Sequence, residues 1–352
     1  MLSQNEWGVL KSVIVGNPVK TPFPKSTKNV DLSFRLFYHD NLWIDDNTIN
    51  VKKSISHQDI GFLSKQIENE RIQDIENFVS VLQQEGITVY RPENYTLKMV
   101  GTNNWDTVNS PPGTVRDQCL VYKDYIIETS PQVRCRYFEN EYLYPIFYSY
   151  MNKGAKWLQM PKSRMLDSNF DTSYITKCFE SKTDDMYEIM FDGAQCLRFN
   201  DRLLVNTSTA NHRQGVKWLR NVLGDVIDEV HLVDSHLDGT LMPVDEGTII
   251  AGPKFYKQYD IKDLPKWLQS WDFIFLDDLD KSDADKMCLA SETIFVNCLS
   301  LGNKKVVLNK HAVSLKKKLE AKGFDVIPLD MRHDRLYGGS FHCVTLDLER
   351  GS

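Results

Sequence analysis

The sequence predicts an α/β fold in which five similar units close into a five-fold array. Three observations carry this. A helix–turn–strand pattern recurs five times along the 352 residues, a β-hairpin pattern recurs four times between its copies, and the two chain ends together supply a fifth hairpin.

From the N-terminus, the apolar run LKSVIVGN (10–17) reads as a strand. Residues 18 to 64, rich in aromatic and polar side chains, show no clear period; they read equally as a loop covering a cavity or as a surface excursion packed on its own aromatics. The helix–turn–strand segments are FVSVLQQEGITVYRP (78–92), FYSYMNKGAKWLQMP (147–161), WLRNVLGDVIDEVHLV (218–233), LPKWLQSWDFIFLDD (264–278) and LKKKLEAKGFDVIPLD (315–330). Four carry a glycine where a helix end favours a left-handed residue: Gly86, Gly154, Gly224 and Gly323.

The hairpins are RDQCLVYKDYIIE (116–128), FDGAQCLRFNDRLLVN (191–206), HLDGTLMPVDEGTIIAG (236–252) and VNCLSLGNKKVVLN (296–309). Their turns fall at Lys123-Asp124, Asn200-Asp201, Asp245-Glu246-Gly247 and Gly302-Asn303. FHCVTLDLE (341–349) is a first strand whose partner is LKSVIVGN at the other chain end. The whole chain, 1–352, then forms a single domain.

Each first strand opens on a short polar residue: Asp117, Asp192, Asp238, Asn297, and in the closing unit Cys343. In a closed array these equivalent starts converge near the axis. One such aspartate is an ordinary turn residue; a full set at matching positions points to a site.

The net charge of −6, without a basic stripe, disfavours nucleic acid and is compatible with a cationic small substrate. The seven cysteines have irregular spacing and form no CxxC pair, so reduced, mostly buried thiols and a cytoplasmic protein are expected. MLSQNEWGVL lacks a basic region followed by an apolar core, so no signal peptide is expected, and no apolar run has membrane-spanning length. The oligomeric state is left open, a homodimer included.

A cysteine attacks as a thiolate, which at neutral pH requires a cationic neighbour or a base. His342 follows Phe341 and precedes Cys343, so on a strand it points to the opposite face; His236 is the favoured base and His342 a packing residue. Converging carboxylates call for a cationic guest, and a guanidinium matches them two at a time. Asp117 and Asp238 can clamp one over Cys343 while Asp192 orients His236. A metal held by His236, Asp238 and Asp192 is the rival reading.

Across most of its length the chain resembles the arginine-dependent amidinotransferases. The resemblance rests on NEWGVLKSVIVGNP, VRDQCLVYKDYIIETSPQVRCRYFE, GAKWLQMPKSRMLD, MFDGAQ, HLDGT and GGSFHCVTLDLERG, in the family's order and spacing. It implies a five-bladed α/β propeller, the pentein fold, with Cys343 as nucleophile, His236 as general acid and base, and Asp192 as its partner. Asp117 and Asp238 would hold the guanidinium, and Ser291 would contact substrate. It further implies L-arginine as donor, an amine acceptor, no cofactor and no metal. Three departures stand out: Gln195 replaces a second acid, HLDGT replaces HIDAT, and Lys254-Phe255 occupy the region where glycine-using members carry a carboxylate-binding arginine. These disfavour glycine as acceptor and favour an amine of secondary-metabolite chemistry, with the saxitoxin-pathway type the nearest impression. A hydrolase of the same superfamily, with water as acceptor, and a binding protein on an inactivated scaffold are the alternatives.

Overall fold

The computed structural model describes residues 2–18, 23–24, 49–55, 58–172, 186–232, 236–282 and 288–351. In chain order the elements are β1 (Leu10–Val15), β2 (Phe23–Pro24), β3 (Ile49–Ile55), β4 (Gln58–Leu63), α1 (Lys65–Gln84), β5 (Thr88–Tyr90), β6 (Met99–Gly101) and β7 (Asp106–Val108). Next come β8 (Cys119–Tyr122), β9 (Tyr125–Glu128), α2 (Tyr144–Asn152), β10 (Lys156–Gln159), β11 (Cys196–Phe199), β12 (Arg202–Asn206), α3 (Ala210–Leu223) and β13 (Ile227–Val230). The last are β14 (Leu241–Asp245), β15 (Thr248–Ala251), α4 (Pro253–Tyr256), β16 (Asp272–Phe275), β17 (Leu299–Gly302), β18 (Lys305–Asn309), α5 (Val313–Ala321), β19 (Asp325–Leu329), α6 (Asp334–Tyr337) and β20 (Thr345–Arg350).

Five three-stranded sheets share one topology: β20-β1-β5, β8-β9-β10, β11-β12-β13, β14-β15-β16 and β17-β18-β19. In each, the first two strands are antiparallel and the third runs parallel to the second. A helical connection makes the parallel return, as that pairing requires. The terminal hairpin is present, with Ile14 opposite Leu346 and Val15 opposite Thr345. The four predicted glycines end their helices with φ between 77° and 100°. The two longest helices, α1 and α3, start on side-chain caps: Ser64 accepts from the Ile67 amide, and Thr209 from the His212 amide.

Three expectations need correcting. The fourth helix is absent; residues 265–270 form turns after the single-turn α4, because Trp267 and Trp271 pack edge-on against Phe199 at 5.0 and 5.1 Å and Trp267 donates to Asp228 at 2.9 Å. The β17–β18 turn sits at Asn303-Lys304, one residue later than predicted; both residues have positive φ (52° and 58°), the pair a tight hairpin needs. Residues 18–64 contain a sheet of order β2-β4-β3, so part of that stretch is regular structure; most of the stretch read as either a cavity-covering loop or a surface excursion lies outside the described residues.

Neighbouring sheets meet mainly through their first strands: β8 lies against β20 and β14 against β17, while β17 also meets β1, the second strand of its sheet. At the centre is a buried charge network. Asp347 on β20 receives Arg116 at 2.6 Å, Arg350 at 2.7 Å, and Arg198 of β11. Arg198 in turn grips Glu6 through Nε at 2.8 Å and through Nη2. Burial would raise the Glu6 carboxyl, but Arg198 holds it well below the usual range. Such a network specifies which strand starts meet more than it stabilises the fold, because desolvation offsets most of the attraction.

Candidate active site

Each chemical side chain sits on a short turn immediately before a first strand. Asp117 ends the turn before β8; Asp192 precedes the 3-10 turn Gly193–Gln195; Asp238 lies within the turn Leu237–Gly239; Asn297 follows the turn Ile294–Val296; Cys343 lies just before β20. These turns touch one another across the sheets. The sequence builds this locally. Gln195 accepts from the Asp192 amide at 2.8 Å and donates to the Asn206 carbonyl at 2.8 Å, fixing the Asp192 backbone. A side chain at Gly193 would stand 2.3 Å from the Cys119 carbonyl, so only glycine allows the adjacent turns this close.

The Cys343 sulfur lies between two partners. Its thiol donates to Asp238 Oδ2 at 3.2 Å, and Asn297 Nδ2 donates to the sulfur at 3.0 Å. Burial, then the charges of Asp238 and Asp117, push the thiol well above its ordinary value. At rest the Cys343 side chain is therefore a neutral thiol. Asp238 Oδ2 also meets His342 Nδ1 at 2.8 Å, and the far nitrogen of that ring meets Glu6 at 3.2 Å. His342 is fully buried, and its ring meets the site at Asp238. Burial alone would raise Asp238; hydrogen bonds from His342 hold it below the usual carboxylate range.

His236 Nε2 lies 3.1 Å from Asp192 Oδ2, and its Nδ1 lies 3.8 Å from Asp117 Oδ1. Burial would lower its pKa, but Asp117 and Asp192 outweigh that and raise it to about 9. The ring is thus an imidazolium at neutral pH. Nearby His212, buried and with its Nε2 donating to Gln132 Oε1 at 2.6 Å, is pushed by burial down to about 3 and is uncharged at neutral pH.

Asp117, Asp192 and Asp238 each keep one buried carboxylate oxygen, Oδ1, with no hydrogen-bond partner. A buried carboxylate oxygen without a hydrogen bond costs several kcal/mol; the His236 ring offsets part of that at Asp117 Oδ1, 3.8 Å away, and the three together have the chemistry to receive a multi-donor cation. Among the described residues no group of three His, Cys, Asp or Glu side chains is arranged to hold a metal, so His236, Asp238 and Asp192 do not form the rival ligand set.

Five of the six predicted site residues therefore come together. Ser291 bonds to Thr293 Oγ1 at 2.8 Å and to none of the five. Two functional neighbours escaped the sequence reading. Arg136 donates to Asp117 Oδ2 at 2.6 Å and forks onto Glu139 at 2.6 and 2.8 Å, fixing the Asp117 carboxylate. Burial, partly offset by Arg136, raises Glu139 to about 7. The signal available in VRCRYFE was the spacing of Arg136 and Glu139, three residues apart, which puts an ion pair on one face of a helical turn. Asn297, the second, stood in the polar set at the strand starts without a role.

No family model matches the chain. By sequence it is similar to inosamine-phosphate amidinotransferase 1 of Streptomyces glaucescens, 29% identical over 353 residues, covering 98% of this chain and 95% of that protein. By structure it is similar to the inosamine-phosphate amidinotransferase of Streptomyces griseus, with a TM-score of 0.85, 26% identity, and coverage of 100% of this chain and 97% of the other. It is also similar to an amidinotransferase of the saxitoxin biosynthetic pathway of Microseira wollei, with a TM-score of 0.81, 26% identity and the same coverage.

Proposed function

We propose that this chain, an amidinotransferase, moves the amidino group of L-arginine through a covalent amidino-cysteine at Cys343 to an amine acceptor other than glycine, releasing ornithine. The observation that carries this reading is the set of three buried carboxylates, Asp117, Asp192 and Asp238, each with an Oδ1 that accepts no hydrogen bond, of which Asp238 touches the Cys343 sulfur through its other oxygen. A guanidinium is planar, permanently charged, and offers five donors to such a set.

The geometry supports the following chemistry. A bound guanidinium neutralises the carboxylates that keep Cys343 protonated, so substrate binding itself favours the thiolate. Sulfur attacks the central guanidinium carbon. The thiol proton leaves to solvent, the His236 imidazolium protonates the departing nitrogen, and the carbon–nitrogen bond breaks, leaving His236 neutral. Ornithine departs, leaving a positively charged amidino group on sulfur. The acceptor amine then attacks the same carbon, the neutral His236 takes the amine proton and becomes imidazolium again, the carbon–sulfur bond breaks, and the released thiolate regains a proton from solvent. Kinetics of this type are ping-pong. Asp192 holds the ring; Asp117 and Asp238 hold the guanidinium.

The five sheets and their mutual contacts support closure into the five-bladed α/β propeller, in one catalytic domain across 1–352. The case against glycine is that Phe255, where a carboxylate-binding arginine was sought, is buried in the apolar core and stacks 6.1 Å from Tyr259. Relatives named for an inosamine phosphate and for saxitoxin biosynthesis support an acceptor from secondary metabolism.

The test is product analysis with arginine and a panel of amines. Ornithine formed continuously only when an amine is present, with the matching guanidino product, supports the reading. Steady citrulline from arginine and water would replace it with a hydrolase.

A further inference from the structure

We infer that Asn297 is a catalytic residue: its amide nitrogen donates to the Cys343 sulfur and holds the negative charge that forms there, while its amide oxygen fixes the turn carrying that sulfur. This rests on Cys343 being the nucleophile.

The orientation of the amide is set by its partners. Asn297 Oδ1 accepts from two backbone amides, Cys343 at 3.0 Å and Ser340 at 3.2 Å. Only an oxygen can accept twice, so Nδ2 faces the other way. There it meets Cys343 Sγ at 3.0 Å and the Asp238 carbonyl at 3.2 Å. All four bonds are buried, and the residue is 1% exposed. The turn is also tight: a side chain at Gly339 would come within 2.6 Å of Cys343 Cβ.

The electrostatics show why a donor is needed. Facing the sulfur are Asp238 in direct contact and Asp117 at longer range, both opposing a thiolate; Arg71 interacts with Cys343 through space. His342 reaches it through Asp238. Once the thiol proton leaves, Asp238 changes from acceptor to neighbouring like charge. Among the described residues, Asn297 Nδ2 is then the side-chain donor left on sulfur. A neutral donor of fixed geometry lowers the energy of the thiolate without binding the guanidinium, so its effect falls on reactivity more than on arginine affinity.

The test compares wild type with Asn297→Asp, which keeps an oxygen for both backbone amides and removes the donor. Two quantities are read: the pH midpoint of Cys343 alkylation by iodoacetamide without arginine, followed at the Cys343 peptide, and the rate of amidino-cysteine formation with arginine. The midpoint is expected to rise by at least one pH unit, and the adduct rate to fall about 10²-fold, as for loss of one fixed donor at a developing charge. Asn297→Ala, read the same way, replaces it if the first variant fails to fold. A folded variant with an unchanged midpoint and an adduct rate within about twofold of wild type overturns the inference. Failure of the wild type to form any adduct would refute the transferase reading, and the alkylation comparison would still decide the role of Asn297.

Discussion

Asp192→Asn removes the carboxylate 3.1 Å from His236 Nε2 and keeps the side-chain shape. His236 stands at about 9 because Asp117 and Asp192 together outweigh its burial. An opposite charge at this range moves a pKa by about 1–3 units, so the variant histidine should titrate near 7, a change of about 2.7 kcal/mol. At pH 8 the imidazolium fraction then falls roughly tenfold, and proton delivery to the leaving nitrogen falls with it. The assay is the NMR titration of the His236 ring in the free enzyme, read beside the pH profile of kcat/KM for ornithine release. The expected result is an alkaline limb displaced acidward by about two units, with a smaller loss of arginine affinity. An unmoved limb with a defect confined to arginine binding would refute the reasoning and place Asp192 in the guanidinium clamp.

Stability should carry the same signature. The folded pKa of His236 lies above the unfolded value of 6.5, so its contribution is complete below pH 6.5 and lost as pH rises through about 9. Urea unfolding should show wild type losing up to about 3 kcal/mol across that window, and Asp192→Asn losing less. Cys343→Ala should abolish turnover while melting within a few degrees of wild type; retained turnover would contradict the covalent route. Asp347→Ala strands Arg116, Arg198 and Arg350 in the interior, and should cost about 3–5 kcal/mol by denaturant unfolding. Arg136→Met should weaken arginine binding, measured by calorimetry, because Asp117 loses the 2.6 Å contact that orients it; unchanged affinity would remove Arg136 from the site.

The sequence was most readable where local chemistry decides structure. Two-residue turns, helix-ending glycines and alternating apolar runs located the hairpins and third strands, and the terminal hairpin followed because one unit lacked its first strand. The fourth helix failed because Trp267 and Trp271 satisfy contacts with Phe199, on a neighbouring unit, that no local period encodes. The late turn at Asn303-Lys304 has a similar origin. Gly302 remains in its strand with φ 92°, where a side chain would stand 2.5 Å from Val9, a contact known only once the chain end is in place. In the site, the polar residue before each first strand was visible as a pattern. Which oxygen faces which neighbour was not, since that depends on Gln195 pinning Asp192, Arg136 pinning Asp117, and His342 reaching Asp238 from the opposite side of its strand.

The central claim is a covalent transfer through Cys343, and its most direct test is intact-mass analysis after incubation with arginine alone. The account predicts a gain of one amidino group, mapped to the Cys343 peptide and absent from Cys343→Ala, with one equivalent of ornithine released. Unmodified enzyme with no ornithine, or continuous citrulline without an accumulating adduct, would contradict it.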